Sequence, residues 1–596
     1  MTAAIQTLWA ELVATTLADA GVMRCVISPG SRSTPLVAAL ANEPRLALVT
    51  LIDERAAAFF ALGAARATGV PVALVCTSGT AAAHYLPAII EASQADVPLL
   101  AITADRPPEL QGCGASQTID QVKLYGGFVR GAIDLGAPSE GELALRAVRR
   151  KLVQAITLAR GPRPGPVHVE LPLRKPLEPA APSTDRERAL ARLAGQLAGP
   201  LRLAPPRLAA DQAAIAALAE AIAAEPDGVI VAGAMPASFA AAAVFALAAR
   251  AGYPLVAEAG SQLRFGPRPA GVVFVDHVDV IPAAALPVPR LVLQLGSEPV
   301  AAAWPAWSAR LLAAGTSRWV LAGHSWHDAD SSARGVLLGE VTAALEAVDH
   351  ALRDALPTAR VADNDWARLE ACAARAIDAA LDAHPRSEAA VLRAAIAAVP
   401  PGAAIQLGNS LPIRVIDQVC SGGPAHPVLT QRGAAGIDGL IASAAGATCA
   451  GHPVLLVLGD VSFAHDLGGL LAARCAAAPL AILVIDNRGG QIFAGLPIAR
   501  ASQGAAFERH WLTVPDLDPT AIATALGLRA TTAAGPAAAA AAVAVALATP
   551  GVTIIHAPVT ASGARDVRRA AVESFDLAPL RDSRADSRAD SRKGTP

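Results

Sequence analysis

The sequence has little of what marks secreted, nucleic-acid-binding or membrane-attached proteins. Its 7 cysteines are odd in number and form no C-x-x-C pair, which favours reduced thiols in a cytoplasmic protein over a disulfide framework. The net charge is only −2, so no basic surface for nucleic acid or an anionic membrane is indicated. Glu11 and Asp19 fit an amphipathic N-terminal helix rather than a signal peptide. We therefore expect a cytoplasmic protein.

Long hydrophobic runs are also lacking, although 53% of the residues are hydrophobic. Alanine supplies much of this content, and glycine, proline or charged residues interrupt every run before about 18 strongly apolar residues accumulate. The longest candidate, 537–548, is nearly all Ala and Val and is predicted to be a packed helix. No membrane span is expected.

Short apolar runs alternate with helical segments along most of the 596 residues. This pattern and the length predict an α/β fold of three doubly wound parallel-sheet domains, at 1–180, 205–350 and 362–575. A linker is predicted at 178–188, and a disordered tail at 576–596, where a charged repeat has no hydrophobic face. The predicted strands are 24–27, 47–52, 72–76, 99–103, 167–171, 229–232, 254–257, 272–275, 291–295, 319–322, 405–407, 454–458, 480–485 and 552–555.

Polar residues follow two consecutive strands of the third region. The strand 454–458 ends in Gly459-Asp460, and the strand 480–485 is followed by Asp486-Asn487 and a glycine pair. A βαβ connection brings both strand ends to the same edge of a parallel sheet, where such folds bind ligands. Carboxylate, amide and backbone carbonyl oxygens are the ligands that Mg²⁺ prefers. The alternative is two ordinary strand-end turns, with Asp460 as a helix N-cap.

A carboxylate at a second sheet edge is predicted in the first region. Glu54 follows the strand 47–52 and precedes the predicted helix 56–68. An acidic residue is also favoured in the first turn of any helix by the macrodipole, so a structural role is the alternative. In the central region, a cluster of four candidate metal ligands matches no ligand template, and a solvated loop is the better interpretation. These four residues are His324, His327, Asp328 and Asp330.

The Gly-Asp pair, with Asn487 standing 27 residues after Asp460, resembles the diphosphate signature of thiamin-diphosphate enzymes, although Val461 replaces the usual small residue. The segment around Glu54 resembles their pyrimidine-binding domain. The resemblance implies that Glu54 is catalytic: it hydrogen-bonds the cofactor's aminopyrimidine and favours the imino tautomer, which removes the proton from thiazolium C2. Ile437 would wedge beneath the cofactor, unless it is an ordinary core residue.

This resemblance implies thiamin diphosphate and Mg²⁺ (or Mn²⁺) as cofactors, a pyrimidine-binding domain at 1–180 and a diphosphate-binding domain at 362–575. The implied metal ligands are Asp460, Asn487 and Gly489. The implied cofactor-binding residues are Glu54, Ile437, Gly459, Asp460, Val461, Ser462, Asn487, Gly489, Gln491 and Ile492.

Six blocks narrow the resemblance to the 2-succinyl-5-enolpyruvyl-6-hydroxy-3-cyclohexene-1-carboxylate synthase family of menaquinone biosynthesis. These blocks are 28–35, 103–110, 114–117, 408–414, 431–439 and 486–493. The family implies decarboxylation of 2-oxoglutarate and 1,4-addition of the four-carbon carbanion to isochorismate. Both substrates are dicarboxylates, which guanidinium groups bind well, although surface arginines are common. The implied substrate residues are Ser31, Arg32, Arg106, Gln117, Ser410, Arg414, Arg432, Phe493 and Leu496.

The family also implies a homodimer or dimer of dimers, in which Glu54 of one chain meets Asp460 and Asn487 of another. This chain departs from the family at Ser116 and at 299–303, where Pro-Val is followed by three alanines rather than basic residues. Two alternatives stay open. One is another thiamin-diphosphate 2-oxo acid decarboxylase or carboligase, and the other is a catalytically silent scaffold that binds the cofactor.

Overall fold

Three parallel β-sheets, each flanked by helices, make up the part of the chain that is described. The structure, a computed structural model, describes residues 2–361 and 364–576. The sheets have six, five and six strands in chain order, and every strand pair is parallel. The predicted α/β class with three parallel sheets is therefore confirmed. The predicted tail at 576–596 lies, except for Asp576, outside the described residues.

The first sheet has the strand order β2-β1-β3-β4-β6-β5. Its central strands β3 and β4 are buried along their whole length, because helices cover both faces of a parallel sheet. The strands are β1 (Arg24–Ile27), β2 (Ala47–Thr50), β3 (Val72–Cys76), β4 (Leu99–Asp105), β5 (Ala132–Asp134) and β6 (Pro166–Pro172). The helices are α1 (Ala3–Asp19), α2 (Thr34–Ala41), α3 (Glu54–Thr68), α4 (Thr80–Ala83), α5 (Leu86–Gln94), α6 (Glu142–Arg160) and α7 (Asp185–Leu197).

The second sheet has the strand order β11-β10-β9-β7-β8. Its strands are β7 (Gly228–Ala232), β8 (Leu255–Ala257), β9 (Leu291–Leu295), β10 (Ser317–Ala322) and β11 (Ala333–Leu338). The surrounding helices are α8 (Gln212–Ala224), α9 (Ala242–Ala251), α10 (Trp304–Ala313) and α11 (Val341–Ala355).

The third sheet has the strand order β13-β12-β14-β15-β17-β16. Its strands are β12 (Ala404–Leu407), β13 (Val428–Thr430), β14 (Val454–Gly459), β15 (Leu480–Asp486), β16 (Arg529–Thr532) and β17 (Val552–Pro558). The helices are α12 (Asn364–Ala383), α13 (Glu388–Ala397), α14 (Leu411–Val419), α15 (Leu440–Ala447), α16 (Asp460–His465), α17 (Gly469–Ala473), α18 (Ile498–Ala501), α19 (Ala505–Phe507), α20 (Pro519–Ala525), α21 (Pro536–Ala548) and α22 (Gly563–Glu573).

Some predicted elements are wrong. The predicted strand at 272–275 is absent, because only Phe274 pairs, through an isolated bridge to Leu255. The predicted linker at 178–188 contains the start of α7, whose capping box joins Thr184 and Glu187. The strands β5, β11, β13 and β16 were not predicted. The Ala- and Val-rich segment 537–548 is a helix, as predicted, and among the described helices none is long and apolar enough to cross a membrane.

Helices α3 and α15 pack against each other and join the first and third sheets. Glycines permit close contact: a Cβ at Gly63 would lie 1.9 Å from the Ser443 carbonyl oxygen, and one at Gly446 would lie 1.9 Å from the Phe60 oxygen. Buried residues of both units form one hydrophobic cluster around this contact. The two outer units are therefore held together by a hydrophobic, close-packed interface.

Candidate active site

The diphosphate-site candidates lie at the ends of two neighbouring strands. Asp460 is the first residue of α16, directly after β14, and Asn487 follows β15, with Gly459 in register with Ile485. The carboxylate of Asp460 accepts hydrogen bonds from the Gly489 amide at 2.7 Å and from the Val461 amide at 2.9 Å. Burial raises the pKa of Asp460 to about 6. The structure thus brings Asp460 onto the loop that carries Asn487 and Gly489.

In the side-chain amide of Asn487, the nitrogen has a hydrogen-bond partner among the described residues and the oxygen has none. Its Nδ2 donates to Glu388 Oε2 at 2.9 Å, whereas its Oδ1 is buried and has no hydrogen-bond partner within the described residues. A buried carbonyl oxygen without a donor is costly unless a ligand completes it. An aspartate, a free amide oxygen and a glycine carbonyl form an all-oxygen set, and such a set fits a hard divalent cation that also binds a diphosphate.

Backbone geometry around this loop requires glycine. Gly489 has φ +99°, and a Cβ there would lie 2.3 Å from the Leu512 carbonyl oxygen. The Gly489 carbonyl accepts from the Gln491 amide at 2.7 Å. The Gln491 side chain donates to the Arg488 carbonyl at 3.1 Å, so it fixes its own loop. At Gly459 the nearest atom to an added Cβ is 4.0 Å away, which leaves that backbone open to approach.

The other cofactor-binding candidates near this loop differ in burial. Ser462 is buried within α16, and Val461 and Ile492 are half-buried. Ile437 is also half-buried and belongs to none of the four hydrophobic clusters, which argues against the ordinary core residue considered above. The buried Asn409 holds its loop by donating to the carbonyls of Gln431 at 2.9 Å and Gly436 at 2.7 Å. This loop therefore presents Ile437 from a fixed backbone.

Glu54 begins α3, but it is not the residue that caps the helix. Asp53 is the N-cap, and its side chain accepts from the amides of Arg55 at 2.9 Å and Ala56 at 3.3 Å. Glu54 is half-buried, and beside it Ile52 is 81% exposed. Across residues 2–361 and 364–576, no hydrogen bond or ion pair joins Glu54 to Asp460 or Asn487. One chain alone therefore does not link the two halves of the predicted site.

Two arginines of the third unit lie close to each other. Arg414 donates to the Ser410 carbonyl at 2.7 Å, and Arg432 donates to Asn409 Oδ1 at 3.2 Å. Burial, and then the charge of Arg414, lower the pKa of Arg432. Ser410 has φ +73°, which an L-residue rarely adopts. Helix α14, which follows β12, and the loop after β13 thus bring together a pair of cations.

A second arginine pair lies at the edge of the first sheet. Arg32 is buried and donates to the Leu173 carbonyl at 2.6 Å, while its Nε has no partner within the described chain. Arg106 donates to the Ser116 carbonyl at 3.0 and 3.2 Å. Burial, and then the charge of Arg106, lower the pKa of Arg32.

None of these four arginines forms an ion pair with a carboxylate within 4.0 Å in the part of the chain that is described. The four are Arg32, Arg106, Arg414 and Arg432. Unpaired guanidinium groups in pairs create a local positive field that favours dianions. The other substrate candidates frame these pairs: Ser31 and Gln117 are exposed, Phe493 is 37% exposed and Leu496 is 47% exposed.

Two stretches of the central unit, the cluster around Asp328 and the segment 299–303 without basic residues, have structural roles. Asp328 accepts from Arg318 at 3.2 Å and from the Ser332 amide at 3.0 Å, and so fixes its loop. Asp330 is exposed, and among the described residues no group of three or more His, Cys, Asp or Glu side chains could hold a metal ion, which agrees with the predicted solvated loop. The backbone amides of 300–303 donate to two buried carboxylates: the Ala301 amide to Glu258 at 2.7 Å and the Ala303 amide to Asp279 at 2.7 Å. The stretch without basic residues is therefore a partly buried turn whose backbone amides hydrogen-bond two carboxylates.

Sequence reasoning missed three residues that organise the site. Asn409 lies in the block 408–414, but the sequence did not identify it as a site residue. Glu388 carries no local signal beyond its place in the first turn of α13, where acidic residues are common. Glu91 accepts from the amides of Gly433 at 3.0 Å and Ala434 at 2.6 Å, and so fixes the loop next to Arg432 from the first unit. Their partners are distant in sequence, which is why no spacing rule reveals them.

Comparisons with known proteins agree with this geometry. Residues 9–124 match the family model described as "Thiamine pyrophosphate enzyme, N-terminal TPP binding domain", and residues 420–557 match its C-terminal TPP binding domain. The crystal structure of benzoylformate decarboxylase from Polynucleobacter necessarius superposes with a TM-score of 0.70 at 17% identity, covering 93% of this chain and 98% of that one. This likeness shows the fold. The fold and the two matched domains define the class: a thiamine-pyrophosphate enzyme.

Curated relatives narrow the class. The 2-succinyl-5-enolpyruvyl-6-hydroxy-3-cyclohexene-1-carboxylate synthase of Sorangium cellulosum is 42% identical over 87% of each chain. The synthase of the same name from Geobacillus kaustophilus is 39% identical over 84% of this chain and 86% of its own. The chain belongs to the 2-succinyl-5-enolpyruvyl-6-hydroxy-3-cyclohexene-1-carboxylate synthase family.

Proposed function

We propose that the chain decarboxylates 2-oxoglutarate and adds the resulting four-carbon unit to isochorismate in a 1,4 sense. The products are 2-succinyl-5-enolpyruvyl-6-hydroxy-3-cyclohexene-1-carboxylate and CO₂, in menaquinone biosynthesis. The observation that carries the proposal is the set of four arginines that stand in two pairs and form no ion pair with a carboxylate of the described residues. Two dicarboxylate substrates need such guanidinium groups, whereas pyruvate-type substrates need fewer.

Each arginine pair is assigned one substrate. Ser410, Arg414 and Arg432 are proposed to bind the carboxylates of 2-oxoglutarate, and their neighbouring loops belong to the unit that carries the diphosphate candidates. The isochorismate contacts are proposed to come from Ser31, Arg32, Arg106 and Gln117. Phe493 and Leu496 would exclude water above the reacting atoms.

The proposed binding of the cofactor is based on the three oxygen ligands described above. Asp460, the Asn487 amide oxygen and the Gly489 carbonyl are proposed to hold Mg²⁺ or Mn²⁺, and through it a diphosphate. Ile437 would support the cofactor from below. Bound thiamin diphosphate supplies the nucleophile and electron sink that 2-oxo acid decarboxylation needs. Glu54 would hold a proton at the aminopyrimidine ring and so keep the cofactor's own base available.

The active unit is proposed to be a homodimer or a dimer of dimers. In this arrangement Glu54 of one chain completes the site that Asp460 and Asn487 form in another. Its support is that the Glu54 side chain makes no hydrogen bond within the described residues and that Ile52, beside it, is 81% exposed. An exposed isoleucine next to a catalytic candidate fits a surface that a second copy covers.

Domain roles and location follow the same assignment. We assign pyrimidine binding to 1–180, a structural role to the central unit 205–350, and diphosphate and metal binding to 362–575. A cytoplasmic location is proposed, because all seven cysteines are free and two of them, Cys25 and Cys76, are fully buried.

The test uses the purified full-length protein with thiamin diphosphate, Mg²⁺, 2-oxoglutarate and isochorismate. Loss of isochorismate is followed by absorbance, and the product is identified by its mass. We expect consumption that needs all four additions and a product equal to isochorismate plus the four-carbon unit. Omission of each component in turn is the control.

Two other outcomes separate the alternatives. Release of CO₂ and succinic semialdehyde without loss of isochorismate would keep the decarboxylase half and reject the acceptor. Cofactor binding without reaction with any 2-oxo acid would favour a silent scaffold.

A further inference from the structure

The contact between Glu388 and Asn487 links helix α13 to the proposed metal site. The two residues are 99 positions apart, and the Asn487 Nδ2 donates to Glu388 Oε2 at 2.9 Å. Glu388 is 1% exposed and Asn487 is 5% exposed. A buried carboxylate normally needs a cation or several donors, yet this amide is the only side-chain donor that Glu388 has in residues 2–361 and 364–576. Such a costly arrangement calls for a physical reason.

The reason lies in the two ends of a carboxamide. An asparagine amide has nearly the same shape whether its oxygen or its nitrogen faces a ligand, but only the oxygen binds a cation. Glu388 Oε2 accepts the hydrogen bond from Asn487 Nδ2, so this contact occupies the NH₂ end of the amide. Glu388 therefore leaves Asn487 Oδ1 as the free end, and this atom is buried without a partner among the described atoms.

The position of Glu388 is itself fixed. It is the first residue of α13, where Ser387 caps the helix by accepting from the Ala390 amide at 3.1 Å. The helix start packs against α22, since a Cβ at Gly563 would lie 2.8 Å from the Ser387 Cα. The carboxylate is thus held rigidly against the amide.

We propose that Glu388 is a positioning residue for the metal site: it orients the Asn487 amide so that Oδ1 faces the divalent cation. The inference rests on the proposed function, because it takes Asn487 as a metal ligand. Glu388 acts through Asn487 and does not itself bind the metal. Such partners of metal ligands typically change metal affinity by about 10- to 100-fold when they are replaced.

The test measures Mn²⁺ affinity of the full-length protein, with saturating thiamin diphosphate, by electron paramagnetic resonance of free Mn²⁺. Glu388→Ala should weaken Mn²⁺ binding by about 10- to 100-fold, and the isosteric Glu388→Gln by a smaller factor. The matched control is Ser387→Ala, which removes the helix cap but keeps the carboxylate–amide contact. This control should lower the melting temperature and leave the Mn²⁺ affinity unchanged.

A reciprocal exchange gives a second readout that a purely structural role would not produce. Asn487→Asp alone places two buried carboxylates against each other and should weaken Mn²⁺ binding. Adding Glu388→Gln restores a donor–acceptor pair, because the glutamine NH₂ can donate to the new carboxylate. The double variant should therefore bind Mn²⁺ more tightly than Asn487→Asp alone.

The outcomes distinguish this inference from the proposed function. Wild-type protein that binds Mn²⁺ while both Glu388 variants, folded by circular dichroism, bind it equally well would overturn the inference alone. Failure of the wild type to bind Mn²⁺ in the presence of thiamin diphosphate would overturn the proposed function and the inference together.

Discussion

The first sheet runs β2-β1-β3-β4-β6-β5 and the third runs β13-β12-β14-β15-β17-β16, so each strand of one has a counterpart in the other. Arg32 lies between β1 and α2, and Arg414 lies in α14, the helix that follows β12. Glu54 follows β2 and Arg432 follows β13. The same scaffold therefore offers the same strand ends twice, and the side chains placed there decide which chemistry each end performs.

The residues at one corresponding position, Glu170 on β6 and His556 on β17, show how the chemistry of the two sheets differs. Glu170 on β6 lies in register with Thr103 on β4, and His556 on β17 lies in register with Val484 on β15. In the third sheet, His556 hydrogen-bonds Asp486 at 3.1 Å and lowers the pKa of that carboxyl. In the first sheet, the corresponding pair is Asp105 and Glu170, two buried carboxyl groups. Burial, and then the neighbouring Asp105 carboxyl group, raise the pKa of Glu170 to about 8.

The largest expected effect concerns Glu54, the first residue of α3, whereas the corresponding helix α15 of the third unit begins with Leu440. Glu54→Gln should lower turnover by about 10²- to 10⁴-fold, because it removes the proposed proton-sharing group. Thiamin diphosphate binding, followed by circular dichroism or fluorescence, should persist. The adjacent Asp53→Asn is the control, since asparagine also caps a helix and should retain turnover. Unchanged turnover in Glu54→Gln would remove the proposed catalytic role.

The next effect tests whether the two arginine pairs serve different substrates. Arg414→Lys should raise the KM for 2-oxoglutarate by about 10- to 100-fold, because a charge-assisted hydrogen bond contributes about 1.5–3 kcal/mol and lysine lacks the planar fork. Arg106→Lys should instead raise the KM for isochorismate and spare CO₂ release from 2-oxoglutarate alone. The exposed Arg186→Lys is the control. Equal effects on both substrates would contradict the division.

How much of this comparison could be predicted from sequence depends on the element. The inner strands of both outer sheets were predicted because continuous apolar runs mark buried parallel strands. Edge strands such as β13 and β16 were missed, since they are short and partly exposed. Motifs located Asp460 and Glu54. By contrast, Glu388 and Asn409 act through contacts with distant residues, and tertiary packing alone reveals these contacts.

A smaller effect concerns the pH dependence of stability, in which the Asp105–Glu170 pair should differ from the Asp486–His556 pair. Glu170 keeps its proton in the folded protein up to about pH 8, whereas its ordinary pKa is 4.5. The folded state binds more protons than the unfolded state between these values, so stability falls as pH rises across this range. Glu170→Gln should make the melting temperature depend less on pH. Its drop between pH 5 and pH 8.5 should be smaller than that of the wild type by roughly 2–4 °C. Differential scanning fluorimetry measures it, and an unchanged slope would refute the pairing.

The smallest effect concerns the backbone after β12. Ser410 has φ +73° and ψ −127°, a conformation that costs an L-residue about 1–3 kcal/mol, whereas glycine adopts it freely. Its counterpart after β1, Gly30, is extended at φ −179° and carries no such strain. Ser410→Gly should therefore raise the melting temperature of the unliganded protein by a few degrees. Ser410→Ala keeps the strain but removes the hydroxyl, so it should not stabilise the protein.

Both variants should raise the KM for 2-oxoglutarate if the hydroxyl binds that substrate. A stabilised Ser410→Gly with unchanged KM would leave the strain as a property of the fold and remove Ser410 from the substrate site.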